Sequence, residues 1–233
     1  MLSKASIKSI LLSICRVTLL LWLCLFFRAE LVNVSPIMCG SGFFINSDGY
    51  IVTANHVVSK SKTMAVLFKG QYYPADVVAR NTQKDVAILH SQIPNTAYLR
   101  LSRQFDEGWI LLYGYPDPEK YGMSLKQSVM YASKGFNFLS GTTQIKVEDA
   151  VIPGTSGGPI IDPKSGVVGL ITTTIYFFNF GWGTTAEAIK NLADQYFVRY
   201  EYAEPKLNQL SDDSFYNNLV ESNTVVWMCG VPE

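Results

Sequence analysis

Six consecutive residues, Gly154-Thr155-Ser156-Gly157-Gly158-Pro159, set a hydroxyl among small side chains. Such a run lets the backbone turn sharply, presents the serine oxygen at a surface and frees nearby amide N–H groups to face a ligand oxygen. Two other residues can complete the chemistry. His56 stands in Thr53-Ala54-Asn55-His56-Val57-Val58, at the end of a strand-like run, and Asp85 opens the apolar run Asp85-Val86-Ala87-Ile88-Leu89. A serine nucleophile, an imidazole base and a carboxylate that orients the base are the parts of an acyl-transfer site.

Chain order narrows the choice of scaffold. Gly154-Thr155-Ser156-Gly157-Gly158 also fits the Gly-x-Ser-x-Gly turn of α/β-hydrolases, but in those enzymes the histidine follows the serine. Both histidines of this chain, His56 and His90, precede Ser156. The order His, Asp, Ser that remains is that of chymotrypsin-like double barrels. His90 closes the Asp85 run and reads as an ordinary surface or packed side chain, which leaves His56 as the base. Asp85 has a plainer reading as a solvated strand-end carboxylate. Its place between His56 and Ser156, ahead of a buried-looking strand, favours the orienting role.

The elements that must position these groups read as short strands separated by turns, the pattern of a barrel or sandwich. Phe43–Ile45 and Tyr50–Thr53 flank Asn46-Ser47-Asp48-Gly49, whose Asp-Gly favours a tight hairpin. Further strands are expected at Met64–Phe68, Tyr72–Val78, Val86–Leu89, Trp109–Tyr113, Ile145–Val147, Pro159–Ile161 and Val167–Thr174. One helix follows: Ala186, Ile189, Leu192, Ala193, Tyr196 and Phe197 recur at helical spacing, and Thr184 with Glu187 forms a capping box. After Tyr200 the chain is polar and irregular until Thr224-Val225-Val226-Trp227-Met228, too short a stretch for another substantial domain.

The chain has 233 residues, 48% of them hydrophobic and 16% charged, which suits a well-cored globule joined to a membrane-directed segment. Net charge is zero, yet the first 28 residues carry Lys4, Lys8, Arg16 and Arg28 and no acid, so the remainder is mildly acidic. A nucleic-acid surface would need a basic stripe, and the sequence has none. Val17–Phe27 has the length of a signal-peptide core, and extension back to Ile7 reaches spanning length. That extension puts Arg16 in the bilayer, at a cost of roughly 2.5–3.5 kcal/mol unless it snorkels. An uncleaved signal anchor and a cleaved signal both fit, and Lys4 and Lys8 place the folded domain outside the cytosol. Cys15 and Cys24 fall in this segment. Cys39 and Cys229 bracket the folded part, where they are either a disulfide or two free thiols. Neither cysteines nor histidines have metal-ligand spacing, so no metal or other cofactor is expected.

Three blocks in this order resemble the trypsin-fold serine proteases of the HtrA (Deg) type. Ser41–Val58 is similar to that family's histidine block, Lys84–Leu89 to its aspartate strand, and Glu148–Pro159 to its serine block. Leu99–Ser102 and Gly108–Pro116 also look familial, and the likeness runs from about Gly40 to Asn191. It implies an all-β fold of two six-stranded antiparallel β-barrels with a C-terminal helix, preceded by an N-terminal hydrophobic helix. The expected organisation is a signal anchor or signal peptide at 1–28, a protease domain at 29–200 and a C-terminal extension at 201–233.

The resemblance further implies a serine endopeptidase acting on polypeptides. Ser156 is the nucleophile, His56 the base and Asp85 its orienting group, with the oxyanion hole made by the N–H groups of Gly154 and Ser156. The specificity pocket falls on Ala150, Val151 and Ile152, then Thr172, Thr173 and Thr174 (with Ile171 before them). Ala150 takes the pocket-floor position, so no acid awaits a Lys or Arg, and small or medium aliphatic residues are the expected cleavage sites. Thr155 stands where digestive relatives carry the aspartate that binds a newly cut N-terminus, which removes that means of control. The family's PDZ domain and its oligomeric assembly are not carried over. Control then falls to the membrane, to a partner or to loops such as Tyr131–Gly141. A protease-fold binding module without activity is the alternative, and an esterase on the same scaffold a third.

Overall fold

A computed structural model of the chain describes residues 38–94, 97–138, 140–148, 152–175, 180–204, 218 and 222–231. The hydrophobic segment expected at 1–28 and the pocket residues Ala150 and Val151 lie outside these. Among the described residues, no helix is long and apolar enough to cross a membrane.

Two closed antiparallel barrels of six strands each carry the fold. In the first, β1 (Cys39–Phe44), β2 (Tyr50–Thr53), β3 (Thr63–Phe68), β4 (Gln71–Asn81) and β5 (Val86–Ser91) come from the N-terminal half. The second holds β6 (Gly108–Gly114), β7 (Lys126–Asn137), β8 (Thr142–Glu148), β9 (Pro159–Asp162), β10 (Gly166–Ile175) and β11 (Phe180–Thr185). A last strand, β12 (Val225–Gly230), returns to the first barrel and closes it between β1 and β3. Short helices α1 (Asn55–Val58) and α2 (Pro118–Tyr121) sit in loops, and α3 (Ala186–Gln195) follows β11.

Period-two alternation builds the barrel interiors. Along β3, Met64, Val66 and Phe68 point inward while their neighbours are partly exposed. Ile110, Leu112, Met130, Ala132, Ile145, Val147 and Ile160 fill the second barrel in the same way. Each large apolar side chain removed from water in this manner contributes roughly 1.5–3 kcal/mol. β5 reads as a nearly continuous apolar run because α3 covers its outer side, burying Ala186, Ile189, Leu192 and Ala193.

The β1–β2 hairpin forms as the Asp-Gly turn predicts. Asn46 Oδ1 accepts the amides of Asp48 and Tyr50 at 3.0 and 3.3 Å, and Gly49 adopts φ +85°. Other expectations change. Tyr131–Gly141, read as a loop, is mostly strand, since β7 runs to Asn137 and pairs with both β6 and β8. Its buried Asn137 donates to Gln144 Oε1 at 2.7 Å, a polar pair inside the β7–β8 hairpin. The cap of α3 is Thr185 rather than Thr184, whose hydroxyl instead donates to the Lys84 carbonyl.

β12 lies within the stretch expected as a C-terminal extension, yet it is a barrel strand with Val225, Val226, Trp227 and Met228 buried. Cys229 falls opposite Cys39 in the β1–β12 register. The two form a disulfide across 190 residues of sequence. The strand is thus held by main-chain ladders on both edges and by one covalent bond.

Candidate active site

β2 and β5 are hydrogen-bonded neighbours, with Thr53 opposite Ala87, so the residues just beyond their ends meet. His56 lies in α1, three residues after β2, and Asp85 immediately before β5. Asn81 Oδ1 accepts the Lys84 amide at 2.9 Å and tightens the turn, leaving Asp85 at φ +50°, a region costly for a non-glycine residue. There the carboxylate grips His56 twice. Oδ1 accepts the His56 backbone amide at 2.9 Å and Oδ2 lies 2.8 Å from Nδ1. A carboxylate can only accept at this distance, so Nδ1 carries the proton and Nε2 is left as the acceptor, the form a general base needs.

Ser156 sits in the turn between β8 and β9. Its carbonyl accepts the Ser41 amide at 2.8 Å, while Gly157 donates to the Ile171 carbonyl and Gly158 to that of Thr155, each at 2.8 Å. Two glycines are required by space as well as by conformation. A Cβ on Gly157 (φ +85°) would stand 2.1 Å from the Ser41 carbonyl oxygen, and one on Gly154 (φ +93°) 2.6 Å from that of Tyr115. The same close approach brings Gly157 against Ala54, two residues before His56. Thr155 is buried and its hydroxyl donates to the Ile152 carbonyl at 2.6 Å, so it braces the turn from within.

The Ser156 hydroxyl donates to the Thr172 carbonyl at 3.5 Å and shares no hydrogen bond with His56 in this state. The amides of Gly154 and Ser156 donate to no described acceptor. Of the expected pocket residues, Ile152 is exposed and Thr173 is exposed on β10. Thr172 is buried, with its hydroxyl turned onto the Trp182 carbonyl at 3.0 Å, so its main chain rather than its side chain faces Ser156. Thr174 pairs with Gly181 through the backbone.

Sequence reasoning passed over Ser41, which the structure puts at the centre of the site. It is fully buried in β1, and its hydroxyl donates to the Gly154 carbonyl and accepts the Tyr115 amide, both at 2.8 Å. A serine between two glycines, Gly40 and Gly42, was the available signal. A Cβ on either glycine would meet an atom within 2.9 Å: at Gly40 this includes the Ser156 carbonyl oxygen, at Gly42 the Met228 side chain.

Two closed barrels, a histidine and aspartate clamped together at the ends of β2 and β5, and a glycine-bounded serine turn from the other barrel define the trypsin-like class. Residues 40–170 match the family model for the trypsin-like peptidase domain, and the chain belongs to that family.

Several of its curated relatives are named as DegP-like serine endoproteases. The probable periplasmic serine endoprotease DegP-like of Chlamydia pneumoniae is 33% identical over 144 residues, 58% of this chain and 29% of that protein. Its Chlamydia muridarum counterpart is 29% identical over 168 residues, 67% and 33% respectively. The chain thus spans about a third of the length of these relatives. Among solved structures, the HtrA-type protease AlgW with a decapeptide superposes with a TM-score of 0.60 at 22% identity, over 68% of this chain and 51% of that one. A human pathogenic astrovirus serine protease gives 0.51 at 26% identity, over 63% and 82%.

Proposed function

We propose that this chain is a serine endopeptidase of the HtrA/DegP type acting through His56, Asp85 and Ser156. The observation that carries the reading is the two-point grip of Asp85 on His56, which leaves Nε2 free to accept a proton. Ser156 turns its hydroxyl from Thr172 to His56. The bond it leaves is at the long limit for a hydrogen bond, so the rotation costs about 1 kcal/mol or less. Oγ attacks the scissile carbonyl carbon as its proton passes to Nε2. The carbonyl oxygen becomes an oxyanion, held by the amides of Gly154 and Ser156. His56 returns the proton to the leaving amine, and water repeats the sequence on the acyl-enzyme. Asp85 keeps the imidazolium oriented and charge-balanced throughout.

The substrates are exposed or unfolded polypeptides cleaved after small or medium aliphatic residues. Ala150, Val151, Ile152, Thr172, Thr173 and Thr174 supply no carboxylate for a cationic side chain. AlgW was solved with a decapeptide, and the Chlamydia relatives are named as periplasmic. Together with the N-terminal apolar segment and the Cys39–Cys229 bridge, these support a catalytic domain outside the cytosol, either anchored through residues 1–28 or exported by them as a signal peptide.

One observation favours a second reading, a silent binding module: Ser156 rests on Thr172 rather than on His56. A fluorophosphonate probe separates the two. Labelling of the folded protein that Ser156→Ala abolishes supports the enzyme, and folded protein that refuses the probe supports the binder.

A further inference from the structure

The conformation of the serine turn is not secured by its own sterics. Gly154 carries no side chain, so its φ and ψ are limited less than those of any other residue type. Its orientation has to come from the groups that hold the peptide units on either side. On the N-terminal side, the Pro153 carbonyl, which shares a peptide plane with the Gly154 amide, accepts the Asp117 amide at 2.9 Å. On the C-terminal side, the Gly154 carbonyl accepts the Ser41 hydroxyl at 2.8 Å.

Ser41 does more than meet one carbonyl. Its own amide donates to the Ser156 carbonyl at 2.8 Å, its hydroxyl accepts the Tyr115 amide at 2.8 Å, and its carbonyl accepts the Thr53 hydroxyl at 2.6 Å. One fully buried residue of the first barrel therefore touches both residues of the oxyanion pair and the loop that leaves β6. Loss of the hydroxyl takes away the donor that holds the Gly154 carbonyl, and a permissive glycine can then rotate to find another partner.

We propose that Ser41 is a positioning residue for the oxyanion donors: its hydroxyl sets the orientation of Gly154 while its main chain holds Ser156. The role rests on the protease reading above. It assigns to the first barrel, already the source of His56 and Asp85, a hold on the anion site of the second. Because the ground-state amide carbonyl needs little from these donors, the defect falls on the transition state.

The test is steady-state hydrolysis of a peptide ester and a peptide amide by wild type, Ser41→Ala and Ser91→Ala, with the affinity of a peptide boronate measured in parallel. The boronate forms a tetrahedral adduct that reports the oxyanion site. For Ser41→Ala, kcat is expected to fall about 10-fold and boronate affinity to fall by a similar factor, with KM within about 2-fold of wild type. Ser91→Ala removes a hydrogen bond of a buried hydroxyl in the same barrel, to the Pro74 carbonyl at 2.7 Å, without touching Ser41, Gly154 or Ser156, and is expected to spare both. Unchanged kcat in Ser41→Ala, a loss confined to KM, or an equal loss in Ser91→Ala overturns the proposal. Ser41→Gly carries the same comparison if circular dichroism shows the alanine variant unfolded. A wild type that neither takes the fluorophosphonate nor cleaves overturns the protease reading and this role with it. An active wild type matched by Ser41→Ala overturns this role alone.

Discussion

Asp85 spends both carboxylate oxygens on one residue, Oδ1 on the His56 amide and Oδ2 on the His56 ring. Position and tautomer of the imidazole are thereby fixed by a single side chain. Asp85→Asn offers an amide that can still accept the backbone bond through its oxygen, but its NH₂ then faces Nδ1 and demands the wrong tautomer. The expected outcome is a fall in kcat of roughly 10⁴ with little change in KM. Comparison of peptide hydrolysis at neutral pH for the two proteins checks it, and a loss below about 10-fold would show that Asp85 does not orient the base.

The pocket residues predict selectivity against cations. Burying a Lys or Arg side chain beside Ile152 and the threonines of β10 without a partner costs several kcal/mol. Peptides with Val or Ala at the cleaved position are expected to exceed their Lys and Arg counterparts by at least about 10² in kcat/KM. A library of p-nitroanilides differing only at that position measures this directly, and preferential hydrolysis of the basic members would refute it.

Removal of the Cys39–Cys229 bridge leaves β12 held by its ladders to β1 and β3. A Cys39→Ser/Cys229→Ser variant is expected to lose about 2–5 kcal/mol of stability in urea titrations. A reductant should lower the wild-type midpoint and leave that of the double variant where it is. Equal midpoints for oxidised wild type and variant would mean that the β-ladders alone retain β12.

Phe197 ends α3 in a left-handed conformation, φ +56°, with its side chain 93% exposed. The Val198 amide reaches the Ala193 carbonyl at 2.9 Å and the Phe197 amide that of Asp194 at 3.3 Å, the bonding of a Schellman cap. Glycine is the residue suited to that place, and Phe197 contributes little packing in return. Phe197→Gly is expected to stabilise the protein by about 1 kcal/mol, while Phe197→Ala, which keeps the Cβ, gains little. Thermal melts of the three proteins decide it.

Much of the first barrel was legible because its signals are local. The Asp-Gly hairpin, the apolar run after Asp85 and the alternation of β3 each need only a few neighbouring residues to read. β7 was missed because only Met130, Ala132 and Asn137 of its twelve residues are buried, so its inward face never forms an apolar stripe. β11 was missed because Gly181 and Gly183 weaken its strand character, though a Cβ on Gly183 would lie 2.4 Å from the Ile160 side chain. The apolar run of β12 was visible, but β1, its partner across the disulfide, stands 190 residues away, and no spacing rule reaches that far.

The same contrast holds at the site. His56 and Asp85 stand in strings whose chemistry is readable one residue at a time. Ser41 was hidden because its importance lies in what it touches. Its partners, Gly154 and Ser156 of the serine turn, Tyr115 and Thr53, come from three separate segments, and all four contacts use a main-chain atom of one residue or the other.

The return of β12 to the first barrel also sets an order of events during synthesis. The strands carrying His56 and Asp85 leave the ribosome early, yet their sheet keeps two unpaired edges, on β1 and β3, until a segment made much later arrives. Pairings so distant in sequence form slowly, and open edges are what chaperones and stray strands bind meanwhile. The half of the molecule that holds His56 is thus completed after the half that holds Ser156. A nascent chain already displaying the serine turn still lacks the finished barrel that would arm it.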